Sequence, residues 1–339
     1  MDKAREKRRP GLWEVAQMAG VSLSTVDRVI NERGGVSEAR RKKVLETARQ
    51  LGIKLVLPSN IRGILRFDVL IVDTAADYFH RVTEAFGRQA QLFQSRVVLM
   101  RRFWRESNEM DLVRLIKANK APRQGLIVVG PDTAPVREAL SEVIEKGTPT
   151  VLLTTNIEAL SGATYVGIDN IKAGRVAARL MAHALSDSGK VLLITNSTRY
   201  LAHRQRIQGF TERLRILVPS IEIIGPIECH DDEHLTYSAV SRAQVKDPPI
   251  GIYNTGGGSR GIHDALGRTR CRPFWISHEA SEEHARMLET DILSVAIDQD
   301  PDAQVQISIQ HLLFANGDLE TAPNTLPELR IVIPENLPE

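Results

Sequence analysis

The 339-residue chain is 42% hydrophobic, enough for sizeable cores, and nowhere carries the roughly 18 consecutive apolar residues of a membrane span. Two cysteines, Cys229 and Cys271, exclude a disulfide framework, and the basic opening Met1–Pro10 runs into no apolar segment, so no secretory signal is expected and the cytoplasm is the expected location. The formal charge of +2 conceals an asymmetry, because residues 1–66 hold 15 Lys+Arg against 7 Asp+Glu (net +8) and the remainder hold 29 against 35 (net −6). A small basic head on a mildly acidic body is the distribution of a polyanion-binding module on a carrier.

Within the head, Leu12, Val15, Ala16 and Ala19 recur at helical spacing. Gly20 then ends that helix, since glycine takes left-handed backbone angles cheaply. Ser22 is a natural N-cap for a second helix whose inner face is Val26, Val29 and Ile30. Helix, glycine turn, helix is the arrangement of a DNA-reading helix-turn-helix, although any small three-helix bundle shares it. Leu23, Ser24, Thr25, Asp27 and Arg28 form the outward face. After Asn31 and the glycines Gly34-Gly35, Val36-Ser37 opens a third helix with Val44, Leu45, Ala48 and Leu51 inside and Arg40-Arg41-Lys42-Lys43 crowding its first turns. Such a run is suited to phosphates, or is simply a solvated face.

The pattern Leu12-x-x-Val-Ala-x-x-Ala-Gly-Val-Ser-x-Ser-Thr-Val-x-Arg-Val-Ile-Asn31, then Val36-Ser37 and a basic helix ending Leu51-Gly52-Ile53, resembles the DNA-binding head of the lactose/galactose-repressor (LacI) family. The resemblance implies that Leu23, Ser24 and Arg28 face bases and that Ser22, Thr25 and Asn31 approach phosphates; Arg41 and Lys42, in the basic run beside the second helix, are expected along the DNA backbone. Asp27 departs from it, standing where the family has a phosphate-bonding serine. The linker departs too. Pro58-Ser-Asn60 resembles the start of the family's hinge helix, but Arg62 and Gly63 replace the expected alanine and leucine, so the segment is either a hinge with Ile61, Ile64 or Leu65 as its minor-groove wedge or a plain linker.

From Phe67 onward, short apolar runs alternate with amphipathic stretches. Strands are expected at Phe67–Val72, Arg96–Met100, Gly125–Val129, Thr150–Leu153, Lys190–Ile194, Ile221–Ile227, Ile250–Tyr253, Phe274–Ile276 and Ile292–Ile297, with helices such as Arg81–Phe93, Asp111–Ala118, Val136–Lys146, Ala173–Leu185 and Leu201–Leu217. That grammar is α/β, with parallel sheets covered on both faces, and about 270 residues favours two lobes over one sheet. Function in such sheets collects at strand carboxyl ends, where the loops supply hydroxyls, amides, carboxylates and aromatics, although about half of these residues are expected only to cap helices.

Asn254-Thr-Gly-Gly-Gly-Ser-Arg-Gly261 contains a literal G-x-G-x-x-G at Gly256, Gly258 and Gly261, with Glu279 placed 18 residues after Gly261. A nicotinamide-linked α/β enzyme built on this loop is therefore the alternative function. Against it stand the motif's late position and the basic head, and no nucleophile elbow or phosphate loop supports other catalysis. No enzyme activity, cofactor or metal is expected, and the Cys and His spacing fits no metal site.

Arg204-x-Arg-x-x-Gly-Phe210 and Gly167-x-Asp-Asn-x-x-Ala-Gly174 resemble motifs of the periplasmic-binding-protein-like effector domain carried by the same family. The resemblance implies a helix-turn-helix domain at 1–53, a hinge at 54–66 and a two-lobed body at 67–339, with lobe 1 about 67–166 plus 300–320 and lobe 2 about 167–299 plus 321–339. It places Arg206 on the ligand, with the stacking aromatics Tyr78 and Phe79, Asn254, His278, Glu279 and Gln299 around it, and the strand-end loops add Asp73 and Asn156 as candidates. Asp169 and Asn170 are at least partly structural, and His80, His203 and His230 are expected at the surface. The expected protein is a repressor-like transcription regulator, a homodimer on a roughly palindromic double-stranded operator, controlled by a small sugar-like effector between the lobes. A transport receptor would share the body but carry a signal peptide and no basic head.

Overall fold

A computed structural model describes residues 11–30, 35–51, 63–74, 76–93, 96–118, 122–185, 188–245 and 247–337. The chain divides into two units, Met1–Gly63 and Ile64–Glu339. Asn31 and hinge positions 54–62 lie outside the described residues.

The first unit holds three helices, α1 (Leu12–Ala19), α2 (Leu23–Ile30) and α3 (Glu38–Gln50). Gly20 ends α1 at φ 63°, a left-handed angle that a side chain would strain, and the Val21 amide returns to the Ala16 carbonyl at 3.0 Å. Ser22 caps α2 as its spacing requires, with its Oγ accepting from the Thr25 amide at 3.2 Å. Among the described residues Val15, Ala16, Ala19, Val26, Val29, Val44 and Ala48 form the buried apolar core. Each buried valine contributes about 1.5–3 kcal/mol, so this small domain rests on few side chains.

The second unit begins with β1 (Leu65–Asp73), α4 (Asp77–Leu92), β2 (Val97–Arg105), α5 (Glu109–Lys117), β3 (Gly125–Val128), α6 (Ala134–Glu145), β4 (Thr150–Leu153) and β5 (Ala163–Val166). It continues with α7 (Asn170–Ala184), β6 (Gly189–Thr195), α8 (Leu201–Leu217), β7 (Ile221–Glu228), α9 (Glu233–Ala243), β8 (Gly251–Asn254) and α10 (Ser259–Gly267). Then follow β9 (Phe274–His278), α11 (Glu282–Glu289), β10 (Val295–Asp298), α12 (Pro301–Ala315) and β11 (Arg330–Val332). One sheet has the order β2-β1-β3-β4-β5, the other β11-β10-β9-β8-β6-β7, all parallel except the antiparallel β11.

Central strands such as β3, β4 and β8 are buried along their whole length, which makes them legible as apolar runs. Edge strands hide themselves. β2 runs on to Arg105 because its outer face is solvated, and β5 and β11, half-exposed and three or four residues long, carry no apolar run to read. Leu65 is 5% exposed within β1, so burial removes it as a minor-groove wedge, whereas Ile64 is 60% exposed.

The chain leaves the first sheet after β5 and returns after β10. There α12 lays Val305, Ile309, Leu312 and Leu313 into the same core as Phe67, Ile127 and Val151. Both sheets reverse their winding beside their first strand, at β1/β3 and at β6/β8. Parallel connections on either side of such a point leave to opposite faces and open a crevice at the strand carboxyl ends.

Candidate functional site

A cavity of about 370 Å³ occupies that crevice, within the usual range for small-molecule sites. Its lining comes from strand carboxyl ends in both sheets: Thr74 beyond β1, Thr154 beyond β4, Asn196 beyond β6, Gly256 beyond β8, Glu279 beyond β9 and Gln299 beyond β10.

Arg206 is the best-anchored side chain in it. Asn170 and Arg206 meet because α7 and α8 pack backbone to backbone. A Cβ on Gly174 would lie 2.2 Å from the Arg206 carbonyl oxygen, and one on Gly209 would lie 2.2 Å from that of Ile171. The guanidinium, 3% exposed, donates from Nε to Asn170 Oδ1 at 2.8 Å, from Nη1 to the Thr255 carbonyl at 2.9 Å and from Nη2 to Gln299 Oε1 at 2.7 Å. Three of its five N–H donors are thus committed, leaving two for whatever enters the cavity. Asp169 instead caps α7, accepting from the Lys172 amide.

Glu279 sits at φ 79°, a left-handed angle unusual for a carboxylate residue. Burial first, and then the charge of Asp298, push its carboxyl up to about 8. It accepts from Gln299 Nε2 and pairs with Arg81 at 3.3 Å. Arg81 also donates to Asp298 at 2.6 Å, so one α4 cation joins the first sheet to two carboxylates of the second. Tyr78, 7% exposed, bonds Gln304 and Thr154 through its hydroxyl and packs edge-on against Phe79.

Burial holds the imidazoles of His203, His278 and His284 neutral, with His203 down at about 3. Tyr253 Oη and His278 Nε2 are 2.9 Å apart, while His278 Nδ1 has no partner. With the phenol donating to Nε2, Nδ1 carries the proton and serves as an unpaired donor. His284 Nδ1 donates to the Glu279 carbonyl, helping hold that residue in its left-handed turn, and its Nε2 lies 2.7 Å from Ser259 Oγ.

Of the sequence-based candidates, Tyr78, Phe79, Arg206, His278, Glu279 and Gln299 line the cavity together. Asp73, Asn156 and Asn254 do not. Asp73 ends β1 exposed, and the lining passes to Thr74 and Asp77. Asn156 turns its Oδ1 back to the Ile157 amide, and Thr154 and Thr155 take its place. Asn254 is fully buried. Its Oδ1 accepts from Gly256 N at 3.2 Å and its Nδ2 donates to the Gly257 carbonyl at 2.9 Å, so it shapes the glycine loop from behind.

That loop is not a dinucleotide cradle. Asp231 Oδ1 already accepts from Gly257 N at 2.6 Å, placing a carboxylate where a pyrophosphate would have to sit, and Gly261 serves the close packing of α10 on α9. His203 corrects another expectation: three residues before Arg206, it shares that residue's helix face and lines the cavity, whereas His80 and His230 are exposed. Spacing from Arg206 was the available signal. Asn196, Asp231, Glu106 and Tyr200 also line the cavity, and no motif marked them.

In the first unit Ser22, Leu23, Ser24 and Arg28 are exposed on α2, with Leu23 at 49%, a large apolar group on an otherwise polar face. Thr25 is half-buried with its hydroxyl 2.8 Å from Ser22 Oγ, and Asp27 is half-buried. On α3, Lys42 is exposed beside Glu46 at 3.9 Å, and half-buried Arg41 has an unpartnered Nε. This face offers donors and one apolar contact to a groove.

Residues 67–315 match the pattern of the periplasmic binding protein domain, and residues 11–53 match that of bacterial regulatory proteins of the lacI family. The chain belongs to the lacI family. The lacI-family chain is 26% identical over 212 residues to catabolite control protein A of Priestia megaterium and 23% identical over 210 residues to the transcriptional repressor PurR of Vibrio vulnificus. Each match spans 60% of this chain and 60% of the relative's length. Among solved structures it is similar to GanP, a glucose-galactose binding protein from Geobacillus stearothermophilus, with a TM-score of 0.73 at 21% identity over 82% of this chain and 100% of that one. It is similar also to a solute binding protein from Actinobacillus succinogenes with bound D-allose, with a TM-score of 0.70 at 18% identity over 80% of this chain and 98% of that one. These likenesses establish the fold of the lacI-family body. Among its described residues no helix is long and apolar enough to cross a membrane.

Proposed function

We propose that this lacI-family protein is a transcription regulator of the cytoplasm that binds a roughly palindromic operator as a homodimer and releases or grips it according to a small polar, sugar-like effector. The observation that carries this reading is the presence, in one chain, of a lacI-family head with exposed Ser22, Ser24 and Arg28 and a body with a 370 Å³ cavity centred on Arg206. Two heads related by a two-fold axis read half-sites about one helical turn, or a multiple of it, apart. The effector acts by preferring one closure of the lobes, and linkage makes its influence on DNA affinity reciprocal.

Closure has identifiable contacts. The Asp132 carboxylate, after β3, accepts from Arg204 on α8 at 2.5 Å, and its amide donates to the Arg199 carbonyl at 2.8 Å. Arg199 in turn pairs with Glu109 on α5. We assign the protein no reaction of its own, since the neutral imidazoles and committed charges around Arg206 suit hydrogen bonding. The test is selection of genomic fragments by the immobilised full chain, followed by elution with a panel of sugars, polyols and sugar acids. Recovery of a palindromic site eluted by one class of compound is expected. Enrichment of no sequence over random DNA would remove the regulator reading.

A further inference from the structure

Seven carboxyl side chains and one arginine line the cavity, and of the seven Glu279 holds its proton up to about pH 8. Arg206 commits three of its donors to neutral partners and its charge also acts on Asp231, while Arg81 is paired with Glu279 and Asp298. The lining imidazoles buried there are neutral.

The acids, in contrast, face one another across the lobes. Glu106, just beyond β2 of the first sheet, feels the charge of Asp231, beyond β7 of the second; burial first, and then that charge, raise its carboxyl against a hydrogen bond from the Tyr200 hydroxyl that lowers it. Arg199 and His230 act on Glu106 from further groups, and Arg199 is paired with Glu109. At the start of α4, Asp77 acts in the same sense on Glu283 of α11, with Arg260 and His263 offsetting it from outside the lining.

A second observation specifies what fits between Glu106 and Asp231. Asn196, 6% exposed, donates through Nδ2 to Asp231 Oδ2 at 2.5 Å, and its Oδ1 has no partner. The place therefore offers two carboxylates, of which Glu106 takes a hydrogen bond from the Tyr200 hydroxyl, and an unpaired amide oxygen, so that acceptors outnumber donors. A hydroxyl brings one donor and two lone pairs into such a place, whereas an ammonium brings three donors, a positive charge and no lone pair. The Tyr200 ring, also in the lining, adds a face that a cation favours. Among the described residues no His/Cys/Asp/Glu group is arranged to hold a metal ion, which directs the charge to an organic cation.

We propose that the effector is a sugar-sized hydroxylated molecule bearing a protonated amine, which Glu106, Asp231 and Asn196 receive. This rests on the effector-cavity reading above. The test is calorimetric titration of the full chain with matched pairs, glucosamine against glucose, galactosamine against galactose and 1-amino-1-deoxysorbitol against sorbitol, together with calcium chloride alone. At least one amine is expected to bind ten-fold or more tightly than its neutral partner, with Glu106→Gln and Asp231→Asn each weakening it about tenfold and narrowing that gap. Both substitutions preserve shape, and unchanged melting of the unliganded variants checks their folding. A neutral member that binds as tightly as its amine overturns the inference and leaves the effector reading standing. Calcium binding abolished by both variants overturns it in favour of a metal ion. Binding by no member of any pair overturns it too, and elution of the operator by another compound in the panel would then preserve the regulator reading alone.

Discussion

The head and the cleft place their working residues under opposite physical conditions. On α2, Ser22, Leu23, Ser24 and Arg28 stand in solvent, and the seven residues that hold the head together lie behind them. Folding and the proposed recognition there use different side chains. In the cleft the groups proposed to bind the effector also hold the fold. Arg206 is buried and joins α8 to α7, to the glycine loop and to Gln299, so removing it damages the scaffold along with the binding surface. An exposed reading face is free to change its sequence preference, whereas a buried polar network must be satisfied as a whole.

The largest expected effect tests that coupling directly. Arg206→Ala should abolish any effector response and cost about 3 kcal/mol or more of stability, because it strands Asn170 and Gln299 acceptors in a buried site. Urea denaturation of the full chain measures it, and full stability with a lost response would show that the cleft separates the two roles after all. Next comes Glu279. Its folded carboxyl lies at about 8 against an ordinary 4.5, so the folded protein holds a proton that the unfolded chain releases. Its contribution is fully present below pH 4.5 and is lost as pH rises through 8, with a slope of at most about 1.4 kcal/mol per pH unit. Asp298 has the opposite sign, since hydrogen bonds from Arg81 lower its carboxyl against the effect of burial and its stabilisation is lost only in acid. Thermal melts of Glu279→Gln should show a flatter profile over the upper window, and an unchanged profile would assign the slope elsewhere.

On the head the effects should be smaller in stability and confined to DNA. Arg28→Ala should leave melting within about 0.5 kcal/mol of the parent and reduce the ratio of operator to random-sequence affinity about tenfold. Equal losses on both DNAs would show that Arg28 positions the head without reading bases. Joint replacement of Arg41 and Lys42 by Ala should weaken binding to every sequence and lower the salt dependence of affinity by about two phosphates. A specificity change with an unaltered salt slope would contradict their backbone role.

The difference between the regions also explains what could be read from the chain. A helix-turn-helix is local: Gly20, Ser22 and the spacing of Val26 and Val29 specify the turn, the cap and the inner face within about 20 residues, in agreement with the structure. Central strands were legible for the related reason that burial on both faces demands unbroken apolar runs. The cleft is non-local. Arg206 and Glu279 were recognisable through motifs, but Asn254 carries the same signal and turns its amide to the loop behind it. No pattern around Glu106 announces that it shares a cavity with Asp231, which follows a strand of the other sheet.

By itself, then, the sequence determined the class of this protein: a basic helix-turn-helix head, an α/β body, and an arginine on α8 that lines its cavity. Only the tertiary structure decided which strand-end residues face the cavity, that a carboxylate occupies the glycine loop, and that His203 turns inward. The physical reason is range. Caps, turns and periodic faces are settled by neighbours in the chain, whereas the sign and chemistry of a cleft depend on which distant loops the two sheets bring together, and on whether each buried charge finds its partner there or waits for one to bind.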